Sequence, residues 1–272
     1  MRDVLQTLLP IARAAADVIS RVYRTPFDVD YKGPSDPVTV ADREANELIC
    51  AALRDRYPDV PIVAEESDPA TFADFRSHRH VFFVDPLDGT REFVKRNGQF
   101  VVMIGLLADE RALAGVIHVP DEDRAYAGVV GEGAFVVDAD GSRRPIHTSG
   151  VSELPQARVV ISRSHGHATA ERALEVLSAA SVSPLGSAGL KAAAVASGTA
   201  DAYVATAHAG KRWDACAADA LVHAAGGVFT DATGNPIDHR APSLTNDRGV
   251  VASTRALHPQ LLERVAPYIG RS

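Results

Sequence analysis

The sequence predicts a layered α/β fold, of the α+β type in its layering, in which helices alternate with sheets. Four short apolar runs separated by turn residues lie within residues 100–137, a pattern typical of an antiparallel sheet. Beyond residue 150, short apolar runs alternate with helical patterns, which indicates a mixed arrangement. We therefore expect an N-terminal α+β part over residues 1–150 and a C-terminal α/β part over residues 151–272.

Two helices are predicted ahead of the first sheet. Apolar residues recur at helical spacing within residues 2–24 and again over residues 40–57, and Pro10 would bend the first helix. In the C-terminal part the helical patterns contain many small residues. The further helices are expected over residues 169–180, 191–197 and 215–225, and the strands over residues 81–84, 101–104, 114–119, 124–127, 133–137, 159–161, 202–205 and 250–252.

The composition is that of a globular protein and excludes several classes of partner. A chain of 272 residues with 46% hydrophobic residues can bury a sizeable core. A formal charge of −7 without basic runs argues against a nucleic-acid polymer or an anionic membrane as the main partner. Cys50 and Cys216 are too few for a disulfide framework, and no apolar stretch is long enough to span a bilayer or to form a secretion signal. We therefore expect a cytoplasmic protein.

The most informative motif is Asp-Pro-Leu-Asp-Gly-Thr at residues 85–90, directly after an apolar run. Pro86 interrupts a strand and Gly89 permits a tight turn. Asp85 and Asp88 can then point toward one place, with the Leu87 carbonyl beside them. Oxygen ligands of this kind suit Mg²⁺. The same string is also ordinary turn chemistry, so the motif alone leaves both interpretations open.

Two further carboxylates favour the metal interpretation. Glu65 follows the short apolar run 61–63, so it lies at the end of another strand. Asp214 follows Trp213 at the start of a helix, where it could bind a metal or cap the helix. The residues after Thr90 can also begin a helix whose free amides attract a phosphate. The sequence thus predicts that metal and phosphate meet at one place.

The ordered set of motifs resembles the inositol monophosphatase superfamily of magnesium-dependent, lithium-sensitive phosphatases. Residues 91–100 and 160–165 are similar to the CysQ-like branch, the 3′(2′),5′-bisphosphate nucleotidases. The resemblance covers nearly the whole chain. The motifs that carry it are Asp36–Asp42, Glu65-Glu66, the Asp85–Thr90 segment, Trp213-Asp214 and Ala225-Gly226-Gly227.

The resemblance implies a role for each matching residue. Two or three Mg²⁺ ions would be bound, with Asp85 bridging two of them. Asp42 and Thr90 would orient and deprotonate the attacking water, and the amides of Gly89 and Thr90 would hold the phosphate. The implied metal ligands are Glu65, Asp85, the Leu87 carbonyl, Asp88 and Asp214, and the implied nucleotide contacts are Ser162, His165, Ser187 and Lys191.

The implied reaction is hydrolysis of the 3′-phosphate of adenosine 3′,5′-bisphosphate, which yields AMP and phosphate. Two alternatives stay open: an inositol or sugar phosphatase of the same superfamily, and a non-catalytic protein that senses nucleotide or metal. For Lys191 a solvated helical lysine, and for His165 a polar loop residue, are equally compatible with the sequence. The family also suggests a homodimer.

Overall fold

The computed structural model describes residues 2–33, 36–163 and 175–270. Within these ranges the chain forms six α-helices and fourteen strands. The helices are α1 (Arg2–Tyr23), α2 (Val40–Arg56), α3 (Thr90–Val94), α4 (Ala188–Ala196), α5 (Arg212–Ala224) and α6 (His258–Val265). The strands are β1 (Val29–Gly33), β2 (Asp36–Thr39), β3 (Ile62–Ala64), β4 (His80–Asp88), β5 (Val101–Ala108), β6 (Arg111–Val119), β7 (Arg124–Val129), β8 (Gly133–Val137), β9 (Arg143–Ile146), β10 (Arg158–Ser162), β11 (Ser181–Leu185), β12 (Ala202–Ala205), β13 (Val228–Thr230) and β14 (Val250–Ser253). Short 3₁₀ turns lie at Pro69–Phe72, Phe75–Ser77, Leu154–Gln156 and Ala266–Tyr268.

The first sheet has seven strands in the order β3-β4-β5-β6-β7-β8-β9. All neighbours are antiparallel except β3 and β4, which are parallel. Alternate residues of each strand face opposite sides. On β5, Val102 and Ile104 pack against α1 and α2, whereas Val101 and Met103 pack against α4 and α5. This sheet is therefore covered by helices on both faces.

The second sheet has five strands in the order β11-β10-β12-β14-β13. β10 is parallel to β11 and β12, and the remaining pairs are antiparallel. Val159 and Ile161 face α6, while Val160 faces α4 and α5. The helices α4 and α5 thus lie between the two sheets, and the layer order is helix, sheet, helix, sheet, helix. The layered fold expected from the sequence is confirmed.

Several predicted elements correspond closely to the structure. α1 and α2 have the expected extents, and Pro10 lies within a helix that continues past it. The strand predicted over residues 81–84 was too short, because β4 continues through Pro86 to Asp88 at an irregularity in its pairing with β5. The helix predicted over residues 169–180 lies largely outside the described residues.

The strands that the sequence pattern missed are short, polar or both. β1 and β9 are mostly exposed and β11 is partly exposed, so they show no apolar alternation, while β2 is largely buried but has only four residues. β9 is an edge strand of the first sheet that carries two arginines and Pro145. Charges and proline are common on edge strands because they discourage pairing with another chain.

Three glycines let helix α5 lie unusually close to the first sheet. Gly105, Gly115 and Gly128 are cross-strand neighbours on β5, β6 and β7. A Cβ atom on Gly115 would lie 2.3 Å from the carbonyl oxygen of Ala217 on α5, and one on Gly105 would lie 2.6 Å from the Ala217 nitrogen. The glycine groove, defined by these three residues, therefore sets the height of α5 above the sheet.

Both cysteines are buried and free, Cys50 on α2 and Cys216 on α5. Among the described helices, none combines the length and the apolar character needed to cross a membrane.

We expect Gly115→Ala to lower the free energy of unfolding by about 1–3 kcal/mol, because the added methyl group overpacks the contact with α5. The same change should lower catalytic activity, since Asp214, a metal ligand expected from the sequence, lies on α5. Chemical denaturation of the purified variant measures the first effect. Gly150→Ala is the matched control, because nothing lies within 4 Å of a Cβ at that position. Equal stability of the two variants would contradict the close packing of α5.

Candidate active site

A cavity of about 420 Å³ lies where the two sheets and the helix layer between them meet. It is lined by the ends of β3 and β4, the starts of α3, α4 and α5, and the ends of β10 and β12. The motif at residues 85–90 and the separate carboxylates Glu65 and Asp214 all reach it. Sequence segments up to about 150 residues apart therefore converge on one cavity.

The end of β4 forms the floor of this cavity. Asp85 is buried, and its Oδ1 accepts a hydrogen bond from the Leu87 backbone N–H at 3.0 Å. Gly89 follows with φ +100°, a left-handed conformation, and a Cβ there would lie 2.8 Å from the Gln99 carbonyl oxygen. Only glycine fits this turn without strain. The turn brings Thr90 to the start of α3 beside the carboxylates.

Three carboxylates form a tight cluster. One oxygen from each of Glu65, Asp85 and Asp214 lies within 4.8 Å of the others. Burial raises the pKa of Asp85 well above its usual value, and the charges of Glu65 and Asp214 raise it further. Burial and the charges of Asp88 and Glu65 likewise raise the pKa of Asp214 to about 8. The cluster therefore disfavours its own ionisation unless a cation compensates it.

The donor set fits a hard divalent cation such as Mg²⁺. The three clustered side chains offer oxygen atoms only, and the Leu87 backbone lines the same cavity. Mg²⁺ and Ca²⁺ take carboxylate and carbonyl oxygens, whereas structural Zn²⁺ prefers cysteine and histidine. The residues present thus fit Mg²⁺, the metal that the motifs predicted.

Asp88 stands beside the cluster and is held in place by the start of α4. Its Oδ2 accepts hydrogen bonds from the Ser187 hydroxyl at 2.5 Å and from the Gly189 backbone N–H at 2.7 Å. Ser187 has φ +58°, an uncommon conformation for a residue with a side chain. The Ser187 hydroxyl, which the family resemblance implied as a nucleotide contact, therefore donates its hydrogen bond to Asp88.

Lys191 lies behind this turn rather than on an exposed helix face. Its side chain is 3% exposed, and its Nζ donates hydrogen bonds to the carbonyl oxygens of Leu185 and Ser187. The ammonium group also lies 5.0 Å from the centre of the Tyr203 ring. Burial lowers the pKa of Lys191 to about 8, although nearby carboxylates oppose the shift. The solvated lysine considered from the sequence is not what the structure shows.

Asp42 and Thr90 are in direct contact despite their separation along the chain. The Thr90 hydroxyl donates to Asp42 Oδ1 at 2.9 Å and lies 3.2 Å from the Leu87 carbonyl oxygen. The other carboxylate oxygen of Asp42 accepts from the backbone N–H and hydroxyl of Thr39 at 2.8 and 2.7 Å. Burial raises the pKa of Asp42 against these hydrogen bonds. The pair is fixed by the capping box of α2.

Lys32 is a site residue that sequence reasoning missed. From the β1–β2 hairpin its Nζ donates to Glu65 Oε1 at 2.9 Å and to Glu66 Oε1 at 2.6 Å. These two carboxylates raise the pKa of Lys32 despite its partial burial. The hairpin carries no apolar pattern that could have revealed it. Glu65 and Glu66 therefore share one lysine, although only Glu65 belongs to the carboxylate cluster.

The predicted nucleotide contacts are brought together only in part. Ser162 at the end of β10, Ser187 and Lys191 all line the cavity. His165 lies outside the described residues. The cavity also contains cationic residues that the sequence did not single out, namely Arg91, Arg163 and Lys211, together with His208.

Trp213 and Asp214 open helix α5 as expected. Trp213 is partly buried and packs on a cluster that includes Phe83. Asp214 Oδ2 accepts the Lys211 backbone N–H at 2.8 Å, so this carboxylate caps the helix while it also joins Glu65 and Asp85. Helix capping and metal binding, the two roles left open for Asp214 from the sequence, are therefore compatible.

Comparison with known proteins gives the family of this chain. The model of the inositol monophosphatase family matches residues 1–269. The chain belongs to the inositol monophosphatase family. The resemblance noted from the motifs is thus confirmed, and members of the family are metal-dependent phosphatases.

This family member is similar to curated proteins of two kinds. It is 36% identical over 239 residues to the 3′(2′),5′-bisphosphate nucleotidase CysQ of Escherichia coli K12, which covers 87% of this chain and 94% of that protein. It is 31% identical over 245 residues to an inositol monophosphatase of Mesembryanthemum crystallinum, with 88% of each chain covered.

Solved structures share the fold over nearly the whole length. The extragenic suppressor protein SuhB from Bartonella henselae superposes with a TM-score of 0.83 at 28% identity, covering 98% of this chain and all of that one. An IMPase from Thermotoga maritima gives a TM-score of 0.82 at 25% identity, with 97% of each chain covered.

We expect Asp85→Asn to abolish the increase in melting temperature that Mg²⁺ gives the wild type, because the variant loses the charge at the centre of the cluster. Without metal the variant should melt at a higher temperature than the wild type, since repulsion among buried carboxylates falls. Phosphate release should drop to background. Thermal melts with and without MgCl₂ make the comparison, and Asp55→Asn on the exposed face of α2 is the control. A normal Mg²⁺ shift in Asp85→Asn would contradict this cluster as the metal site.

Proposed function

We propose that this chain is a magnesium-dependent 3′(2′),5′-bisphosphate nucleotidase that converts adenosine 3′,5′-bisphosphate to AMP and phosphate. The observation that carries the proposal is the charge of the cavity lining beyond the carboxylates. Among the described residues, four cationic side chains line it, Arg91, Arg163, Lys191 and Lys211. A substrate with two phosphates needs more positive charge than a simple monoester, because each phosphate is doubly charged near neutral pH.

The similarity to curated nucleotidases supports the same choice. Several relatives named CysQ are 29–36% identical to this chain, over 87–93% of its length. The segment Lys95-Arg96-Asn97-Gly98 favoured this branch in the sequence. In the structure Arg96 donates to the carbonyl oxygens of Tyr23 and Thr25, so this motif fixes the α3 turn against α1 rather than contacting the cavity.

Two or three Mg²⁺ ions would be held by Glu65, Asp85, the Leu87 carbonyl, Asp88 and Asp214. Bound there, Mg²⁺ supplies charge neutralisation of the phosphate oxygens and lowers the pKa of a water molecule. The chain contributes the arrangement of the ligands. Asp85 sits at the centre of the cluster, and Asp88 has one oxygen engaged by the start of α4, which turns the other toward the cavity.

Asp42 and Thr90 would activate the attacking water. The Thr90 hydroxyl proton is already committed to Asp42 Oδ1, so the threonine oxygen presents a lone pair to a water in the cavity. As the water attacks phosphorus, its proton can pass to Thr90 Oγ while the threonine proton moves to Asp42. Burial raises the pKa of Asp42, which makes this carboxylate a stronger base than an exposed aspartate.

The start of α3 would bind the phosphate that is removed. The backbone N–H groups of Glu92 and Phe93 donate to the Gly89 carbonyl within the helix. The preceding amides of Gly89 and Thr90 belong to the first turn, where no helical partner exists. Oriented amides of this kind favour the charge that develops on phosphate oxygens during hydrolysis.

Lys191 and Ser162 would serve the rest of the nucleotide. The ammonium group of Lys191 lies under the turn of residues 185–187, where it raises the local positive potential at the cavity wall. Ser162 ends β10, where it pairs with Leu185 of β11 and therefore lies beside this turn in the cavity lining. His165 is proposed as a contact to the adenosine on the resemblance alone. The reaction requires only small-molecule partners, and the two buried thiols suit the reducing cytoplasm.

We expect purified protein with MgCl₂ to release phosphate from adenosine 3′,5′-bisphosphate at least tenfold faster, in kcat/KM, than from inositol 1-phosphate or fructose 1,6-bisphosphate, a difference of about 1.4 kcal/mol in transition-state binding. A phosphate-release assay at matched concentrations measures this. Preference for an inositol or sugar phosphate would overturn the substrate assignment and keep the metal chemistry. No release from any substrate would favour a non-catalytic sensor.

We expect Lys191→Met to reduce kcat/KM for adenosine 3′,5′-bisphosphate more than for inositol 1-phosphate, because the methionine keeps the buried stem and removes the charge that raises the positive potential at the cavity wall. Melting temperatures show whether the variant is folded. Lys95→Met, at an exposed position outside the cavity, is the control. Equal losses for both substrates would contradict a role for Lys191 in recognising the second phosphate.

A further inference from the structure

Asn246 is a buried polar residue that lies behind the active site, in the loop between β13 and β14. Its side chain is 3% exposed. Burying an amide is costly unless its donors and its acceptor are satisfied. Asn246 satisfies them almost entirely with one short segment, residues 209–212, which connects β12 to α5.

Both the side chain and the backbone of Asn246 form hydrogen bonds with this segment. Asn246 Nδ2 donates to the carbonyl oxygens of Ala209 at 3.1 Å and Lys211 at 2.6 Å, and Oδ1 accepts from the Arg212 guanidinium. Its backbone N–H donates to the Gly210 carbonyl at 2.9 Å, and its carbonyl accepts from the Ala209 N–H at 3.1 Å. One residue thus binds four consecutive residues of the segment.

The other side of the same segment faces Asp214. The Lys211 backbone N–H donates to Asp214 Oδ2 at 2.8 Å. Gly210 has φ +73°, and a Cβ there would lie 1.8 Å from the same oxygen. The backbone of residues 210–211 is therefore in direct contact with the Asp214 carboxylate. Any displacement of residues 210–211 would move one of its two oxygens.

We propose that Asn246 is a positioning residue that holds the Asp214 carboxylate beside Glu65 and Asp85. It acts through the backbone of Gly210 and Lys211 and does not itself line the cavity. The inference rests on the proposed role of Asp214 in metal binding, and it is independent of the identity of the substrate.

The chemistry of the contacts requires an amide at this position. Two donors meet two carbonyl oxygens while one acceptor meets a guanidinium, which only asparagine supplies at this size. Aspartate would keep the acceptor and would place a negative charge against the carbonyl oxygens of Ala209 and Lys211. Alanine would leave both carbonyls and the Arg212 side chain without these partners.

The experiment measures Mn²⁺ binding to the substrate-free protein by the electron paramagnetic resonance signal of free Mn²⁺. We expect Asn246→Ala to weaken the affinity about 10-fold or more, the range seen when residues that orient metal ligands are removed. Asn246→Asp should weaken it further. In turnover assays the variants should need more Mg²⁺ for half-maximal rate and recover most of kcat at saturating Mg²⁺.

Two controls separate positioning from general stability. Asn235→Ala changes an amide in the same loop whose side chain bonds only locally, to Thr233 Oγ1, and it should bind Mn²⁺ normally. Leu261→Ala removes a buried side chain of α6 from an apolar cluster that contains none of residues 209–214, and it should lower the melting temperature without weakening Mn²⁺ binding. If Asn246→Ala does not fold, Asn246→Ser, which keeps one hydroxyl donor, takes its place.

Wild-type Mn²⁺ affinity in the Asn246 variants would overturn the inference, as would equal weakening in Leu261→Ala. Failure of the wild type itself to bind Mn²⁺ would overturn it together with the metal site. Failure of the wild type to hydrolyse adenosine 3′,5′-bisphosphate would overturn only the proposed substrate, because the binding measurement contains no nucleotide.

Discussion

Mutual repulsion among buried carboxylates is the constraint around which this molecule is arranged. Glu65, Asp85 and Asp214 place oxygens within 4.8 Å of one another, and burial gives their charges little screening. Burial and the neighbouring carboxylates raise the pKa values of Asp85 and Asp214, so ionisation of the cluster is disfavoured without a compensating cation. A divalent cation resolves the repulsion, and the same compensation makes the site attractive to phosphate. Folding energy from the rest of the chain maintains an arrangement that these groups alone would avoid.

The scaffold meets this constraint by fixing each carboxylate from behind. Asp88 is held by the start of α4, Asp42 by the cap of α2, and Asp214 by the backbone N–H of Lys211. Helix α5 carries Asp214 and lies between two sheets, at a height set by the glycine groove. A methyl group in that groove would therefore displace α5 and, with it, the Asp214 carboxylate. The other carboxylates of the site lie outside this helix.

Fold alone does not distinguish the substrates of this family. Two solved structures that superpose on the chain carry the names SuhB and IMPase, whereas CysQ proteins at 36% identity are named bisphosphate nucleotidases. Function is determined by the site. In our proposal the carboxylates account for metal and phosphate chemistry, whereas Arg91, Arg163 and Lys211 add positive charge that hydrolysis of a simple monoester does not require. Our substrate proposal rests on that difference.

The sequence by itself determined the layered fold, the family, and which carboxylates are candidates for metal binding. These features are local: apolar runs predict strands, and Gly89 in the Asp-Pro-Leu-Asp-Gly-Thr motif predicts the turn that follows. Tertiary structure decided the rest. Lys32 donates a hydrogen bond to Glu65 from a hairpin with no apolar pattern, and the Ser187 hydroxyl donates one to Asp88. Asn246 reaches residues 209–212 across more than 30 positions of chain. Such contacts join side chains whose partners are set by packing between layers, and no local pattern encodes them.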